Sequence, residues 1–343
     1  MIMARSIVCR ASQIQREEKN MSIQTYIKRA ALAATLLVSA NAIASNYPDK
    51  TVTLVVPYPA GGATDVIARM IAEKLPATWN QQVVVANRAG AGTTLAAESV
   101  ARAPGDGYTL YMTTAAHTIS ASLYKNLKYD PIKDFAPVTL VSTIPLVLVT
   151  TPSLPPNNLK ELIDYAKKQK QGLSMASTGN GTPQHLTGEI FKSKAGIELV
   201  HVPYKGDAPM ITDLLGGQVQ LAFVTLSAAL PHIKAGKLKA IALAHPKRVE
   251  AIANVPTMTE AGMPGFQAAT WFGLFAPASL PPALQEKIYQ DVSRIVATPE
   301  MTKKLQEMGG EVNNSSPADF KKVIDAEVKN WAEGVRLSGA KVD

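Results

Sequence analysis

Three glycine-bearing stretches hold the residues whose types and spacing could do chemistry in this chain, and the chemistry they suit is holding an anion. In the first, Tyr58, Pro59, Ala60, Gly61, Gly62, Ala63, Thr64 and Asp65 follow an apolar run and precede a segment of helical periodicity. Proline ends the run, glycine permits a tight turn, and a helix start offers free backbone N–H groups at the positive end of a dipole. Gly62 is the position expected to come closest to a ligand. Thr64 or Asp65 is placed to cap the helix. Asp65 reads either as a first-turn carboxylate complementing the dipole or as an acceptor for a ligand hydroxyl, amine or bridging water. The second stretch, Thr178, Gly179, Asn180, Gly181 and Thr182, repeats the arrangement and adds side-chain donors. It reads as a carboxylate site or as a capped loop with no ligand, just as the first reads as an anion site or an ordinary strand-to-helix turn. His185 follows it, either lining the same cleft or serving as a satisfied structural histidine. The third, Lys205, Gly206 and Asp207, lies on another strand-to-helix turn. Lys205 reads as a ligand contact or a solvated lysine, and Asp207 as a ligand contact or a helix cap.

Other chemistries fail on spacing. There is no G-x-S-x-G nucleophile elbow and no motif that brings two carboxylates together as acid and base. The five histidines, His117, His185, His201, His232 and His245, are scattered, with no zinc-type spacing. Gly90-Ala91-Gly92 begins like a dinucleotide fingerprint, but Leu95 stands where the third glycine or alanine belongs, and no Walker lysine follows. No catalytic residue, metal ligand or cofactor is expected. Trp271, Phe272 and Phe275 read as core or, alternatively, as a ligand platform.

The elements that must position these loops alternate. Strands are expected at 52–56, 82–86, 108–113, 173–177, 198–202, 220–224 and 239–244, and helices follow most of them. The first helix carries Val66, Ile67, Met70, Ile71 and Leu75 at helical spacing. Pro145 divides an apolar stretch into two short strands, 138–141 and 146–150. Such alternation argues a mostly parallel sheet covered on both faces, an α/β fold. A further strand at 269–276 and helices at 282–296 and 316–337 have no βα alternation left to found a third domain, so the tail is expected to pack on the first lobe. The expected architecture is two α/β lobes, residues 45–147 with 267–343 and residues 148–266.

The N-terminus reads as an address. Lys28 and Arg29 precede the apolar run 30–40, and Ala42-Ile43-Ala44 forms an A-x-A site, so residues 1–44 read as a secretory signal peptide cut before Ser45. Met21 would start a signal of ordinary length, so residues 1–20 read either as an upstream extension from a misplaced start or as a long n-region. The single cysteine, Cys9, falls in the removed part, so no disulfide is expected. Residues 1–44 carry six Lys/Arg and two Asp/Glu, half of the +8 net charge, leaving +4. With no block of basic residues, a nucleic-acid partner is not expected.

Taken together and in order, YPDKTVTLVVPYPAGGATD, NRAGAGTTLAAESVARAPGDGYTL, SLYKNLKYDPIKDFAPV, GNGTPQHL, VPYKGDAPMITDLLGGQVQ, ALPHIKAGKLKAIAL and VPTMTEAGMPGF resemble the substrate-binding receptors of tripartite tricarboxylate transporters, the Bug family. The likeness spans the chain from about Tyr47 onward. It implies a type II periplasmic binding-protein fold, with a ligand cleft between two lobes and two pincer loops that grip a carboxylate through backbone groups and water. Carried over, the first pincer is 58–65 and the second 178–182, with 205–207 beside it. The chain departs from the family at Val224-Thr225, where Asp-Asn is common; Thr225 keeps a hydroxyl in the cleft. It departs again at 90–94. The resemblance implies a monomeric periplasmic receptor that performs no chemistry. It would capture a small carboxylate (a di- or tricarboxylate, an amino acid or an aromatic acid) for membrane transporter subunits. Neither pincer holds an arginine, so a bidentate guanidinium clamp is not expected. The alternatives are a sensing subunit that presents the liganded form to a sensor kinase and, further off, a hydrolase or transferase.

Overall fold

The computed structural model describes residues 47–338 and Ala340. The expected signal peptide and Cys9 lie outside the described residues. In chain order, β1 (Val52–Val56) leads to α1 (Ala63–Lys74), β2 (Val83–Asn87) to α2 (Thr94–Ala101), and β3 (Thr109–Thr114) to α3 (Ala116–Leu123). The long strand β4 (Phe135–Thr150) precedes α4 (Leu159–Ala166). Then come β5 (Leu173–Ser177), α5 (Pro183–Ala195), β6 (Leu199–Pro203), α6 (Asp207–Leu215), β7 (Leu221–Thr225), α7 (Leu226–Lys234) and β8 (Lys239–Leu243). The chain closes with β9 (Ala269–Pro277), α8 (Pro282–Val296), α9 (Pro299–Glu307), β10 (Glu311–Val312) and α10 (Pro317–Ser338).

The sheet falls into two sections joined by one strand. In the first, β1 runs parallel between β2 and β3, while β9 pairs antiparallel with both β3 and β4. In the second, β5 runs parallel between β6 and β7, and β4 pairs antiparallel with β7 and β8. Among the described residues four pairings are parallel and five antiparallel, so the sheet is mixed rather than mostly parallel. The antiparallel share comes from β4 and β9, long crossing strands that the βα grammar does not describe.

Nor does Pro145 split β4. The strand runs unbroken for 16 residues, pairing with β9 up to Pro145 and with β7 from Leu146. Proline has no ladder donor, so it suits the point where one partner gives way to another. Pro137 sits beside a register shift, another position that forgives a missing N–H.

Each section has its own core. Tyr111, Leu140, Trp271, Phe275 and Phe320 cluster in the first, and Phe191, Phe223, Phe266, Leu146 and Leu148 in the second. Within α1 the buried stripe is Ile67, Ala68, Ile71 and Ala72, while Val66 is 38% exposed and faces away from it. A third cluster joins the sections: Ile119 and Leu123 of α3 meet Leu186 of α5, with Trp331 of α10 against them.

Candidate functional site

The first turn is built around Asp65. Gly62, not Thr64 or Asp65, occupies the N-cap of α1, and no side chain caps the helix from that position. Asp65 is the third helical residue and reaches back. Its Oδ2 accepts from the Gly61 N–H at 2.9 Å and from Arg69 Nε at 2.9 Å, and its Oδ1 accepts from Asn87 Nδ2 at 2.9 Å. Asn87 Nδ2 also donates to the Tyr58 carbonyl at 2.9 Å. Burial pushes the Asp65 carboxyl up, but the bonds from Arg69, Gly61 and Asn87 outweigh it and hold the net shift below the usual range. The conformational demand falls on Gly61, at φ +88°, and not on Gly62, at φ −80°. What Gly62 supplies is closeness, since a Cβ there would lie 3.3 Å from Asp207 Oδ2.

The second turn is held from within. Thr182 caps α5, accepting from the His185 N–H at 3.4 Å and donating to the Gly179 carbonyl at 2.8 Å. The Gly179 N–H goes to Ser177 Oγ and the Gly181 N–H to His185 Nδ1, both at 3.2 Å. His185 is buried and stacks on His201 at 3.8 Å, and His201 Nε2 lies 2.6 Å from Ser177 Oγ. Burial pushes the His185 imidazole down to about 4 and that of His201 to about 3. His185 therefore supports the loop, while Asn180 is half-buried and Thr178 buried.

The third turn crosses to the first. Gly206 caps α6 at φ +135°, and a Cβ on it would lie 2.9 Å from Pro59 Cδ. Its neighbour Asp207 opens α6, and Asp207 Oδ2 accepts from the Ala63 N–H, at the start of α1, at 3.3 Å. Burial pushes the Asp207 carboxyl up to about 6, with the Ala63 bond pulling the other way. Asp207 Oδ1 is buried and has no hydrogen-bond partner. Lys205 is exposed, as are Ala60 and Gly61.

A small, partly open space lies where the turns meet. Tyr58, Thr64, Thr114, Thr178, Gln184, Asp207, Thr225, Thr270 and Phe272 line it, and its volume is about 10 Å³, roughly what one water needs. Tyr58 Oη bonds with Thr114 Oγ1 at 2.9 Å, and Gln184 links Thr178 to Thr225 through two bonds of 3.0 Å. The Thr270 hydroxyl is buried and unpartnered, like Asp207 Oδ1. Of the residues singled out from sequence, Tyr58, Thr64, Thr178, Asp207 and Thr225 converge here. Phe272, weighed from sequence as core or ligand platform, joins them, as do Thr114, Gln184 and Thr270, which sequence reasoning missed. Thr114 and Thr225 end their strands, a position where α/β sheets place ligands, and that signal was available. A larger cavity of about 490 Å³ opens elsewhere, lined by Lys194, Phe266, Trp271, Glu327 and Trp331, and shares no residue with the glycine turns.

A sequence model of the tripartite tricarboxylate transporter family receptor matches residues 67–339. Protein BugT of Bordetella pertussis is 34% identical over 311 residues, covering 90% of this chain and 95% of that protein. The structure of the periplasmic binding protein BugD superposes with a TM-score of 0.83 at 37% identity, over 86% of this chain and 99% of that one. A protein of R. palustris solved with adipate also gives 0.83, at 36% identity, over 86% of this chain and all of its own.

Proposed function

Since the chain belongs to the tripartite tricarboxylate transporter receptor family, a family of periplasmic solute-binding proteins with a two-lobe fold, we propose that it captures a small carboxylate between its lobes and delivers it to membrane transporter subunits. The observation that carries this reading is the convergence of turns from both sheet sections on one buried polar space at the start of α1. A helix N-terminus favours an anion through its N–H groups and dipole, and here it lies beside hydroxyls of its own section and faces Thr178, Gln184 and Thr225 of the opposite one. The R. palustris protein bound to adipate supports a carboxylate as the ligand.

In this reading lobe one comprises residues 45–147 with 267–343, and lobe two residues 148–266. The change of partner along β4 between Pro145 and Leu146 supports a boundary there. The pincers are 58–65 and 178–182, with 205–207 and Thr225 contributing from lobe two. The protein acts as a monomer and transforms nothing. Its site is lined by hydroxyls, one amide, one carboxyl and one ring, without the arginine clamp that would demand two ligand oxygens in one plane.

The decisive experiment is mass spectrometry of the small molecule released when the purified exported protein is denatured, followed by calorimetry with that compound. A bound carboxylate with micromolar or tighter affinity is expected. A protein that releases none, and binds none from a broad panel of acids, overturns the proposal.

A further inference from the structure

Within the carboxylate-receptor reading, on which this inference rests, we infer that Asp207 restricts the ligand to carboxylates that carry an ammonium group on the neighbouring carbon, the amino-acid pattern, and that plain dicarboxylates are excluded. Three observations lead there. First, the place at the start of α1 where a ligand carboxylate is expected is already met by a carboxyl of the protein's own, Asp207 Oδ2 on the Ala63 N–H. A second carboxylate brought to that helix end would lie beside the first, and two like charges in a buried space repel strongly. Second, the space contains no basic side chain to offset the pair: its lining is Tyr58, four further hydroxyl-bearing residues besides Thr270, Gln184, Phe272 and Asp207 itself. Third, the two lining groups left without partners are both able to accept. Asp207 Oδ1 and the Thr270 hydroxyl are buried and unsatisfied, and Thr270 is 1% exposed. Buried acceptors of this kind are rare in folded proteins and ask for a donor.

An ammonium answers all three. It pairs with Asp207 Oδ1, bonds to Thr270 Oγ1, and neutralises the charge that would otherwise oppose the ligand carboxylate at the helix start. Asp65 does not compete for this role, because both of its oxygens are held by Gly61, Arg69 and Asn87. Tyr58, which interacts electrostatically with Asp207, is kept protonated by burial, and Lys205, two residues along the chain, is exposed.

Calorimetry with matched pairs tests the inference on the intact exported protein: aspartate against succinate, glutamate against glutarate, and phenylalanine against 3-phenylpropionate, with malate as a hydroxy-acid arm. The amino member of at least one pair should bind at least tenfold tighter than its des-amino partner at pH 7.5. Asp207→Asn should cut that amino-acid affinity at least tenfold and narrow the gap within the pair. Thr270→Val is the second variant, expected to reduce the same preference by a smaller factor, and thermal melts confirm that both fold. Equal binding within every pair, or tighter binding of succinate, glutarate or malate, overturns the inference and leaves the receptor reading standing. So does des-amino binding that strengthens as the pH falls below 6, since Asp207 would then be a protonated donor. A protein that binds neither member of any pair overturns the inference, and the receptor reading then stands or falls on whether denaturation releases a carboxylate.

Discussion

Asp65 and Asp207 sit on either side of one helix start, and their surroundings drive them in opposite directions. Asp65→Ala removes the acceptor for Gly61, Arg69 and Asn87 together, so the first turn should lose its shape. The expected cost is about 1–3 kcal/mol, the penalty for leaving partners unpaired, read as a lower Tm. Affinity for every acid should fall alike, because what is lost is the loop and not a ligand contact; calorimetry over the panel checks this. Asp207 behaves otherwise. Its folded pKa of about 6 lies above the ordinary carboxyl value of 3.8, so the native state holds the proton more tightly than the unfolded chain. Ionising it therefore costs stability, increasingly as the pH rises from about 4 through 6. Asp207→Asn should melt higher than the wild type at pH 7.5, with the two curves converging near pH 4. The stacked His185 and His201 have the reverse sign. Both stay neutral when folded, so stability should fall as the pH drops below about 6.5, where the unfolded imidazoles take protons. The importance of Asp65 was legible, since an acid three residues into a helix is a known capping position. The role of Asp207 was not, because its partner Ala63 is 144 residues away and no local pattern reports a contact across a cleft.

Local pattern served the elements well wherever the chain alternates strand and helix, and failed where it does not. The turns that end β1 and β5 were visible from apolar runs meeting glycine. The unbroken course of β4 was hidden, because proline is read as a breaker and only the change of partner at Pro145 makes it acceptable. Helices α3 and α9 and the short helix Pro76–Trp79 are not signalled by the pattern, although Thr298, Pro299 and Glu300 are an N-cap, a first-position proline and a first-turn acid. The α3–α5 contact is another long-range feature with a consequence. Leu186 is fully buried against Ile119 and Leu123, across the two sections. Leu186→Ala should weaken the meeting of the lobes, lowering affinity by roughly tenfold, about 1.4 kcal/mol, mainly through faster release. Stopped-flow dissociation would show it. Gly62→Val belongs beside it: at φ −80° the backbone tolerates valine, so the fold should survive while the added methyls press on Asp207 and affinity falls.

A space of about 10 Å³ is too small for the proposed ligand, so on that proposal loading would require the two lobes to part. Hinge opening at the crossing segments near Pro145 and Ala269 is the simplest route. Small-angle scattering should give a radius of gyration that shrinks when a bound acid is added to saturation; no change, with binding confirmed, would count against two moving lobes. The order of the strands carries a different consequence, for how the chain is made. β9 lies between β3 and β4, and α10 covers the same section, yet both come from the last quarter of the sequence. A ribosome therefore releases β1, β2 and β3 long before their central neighbour exists. The second section, made of consecutive segments, can assemble at once, while the section synthesised first must wait for nearly the whole chain. For any chain threaded unfolded across a membrane, such a delay would keep the leading end from finishing its fold on the wrong side.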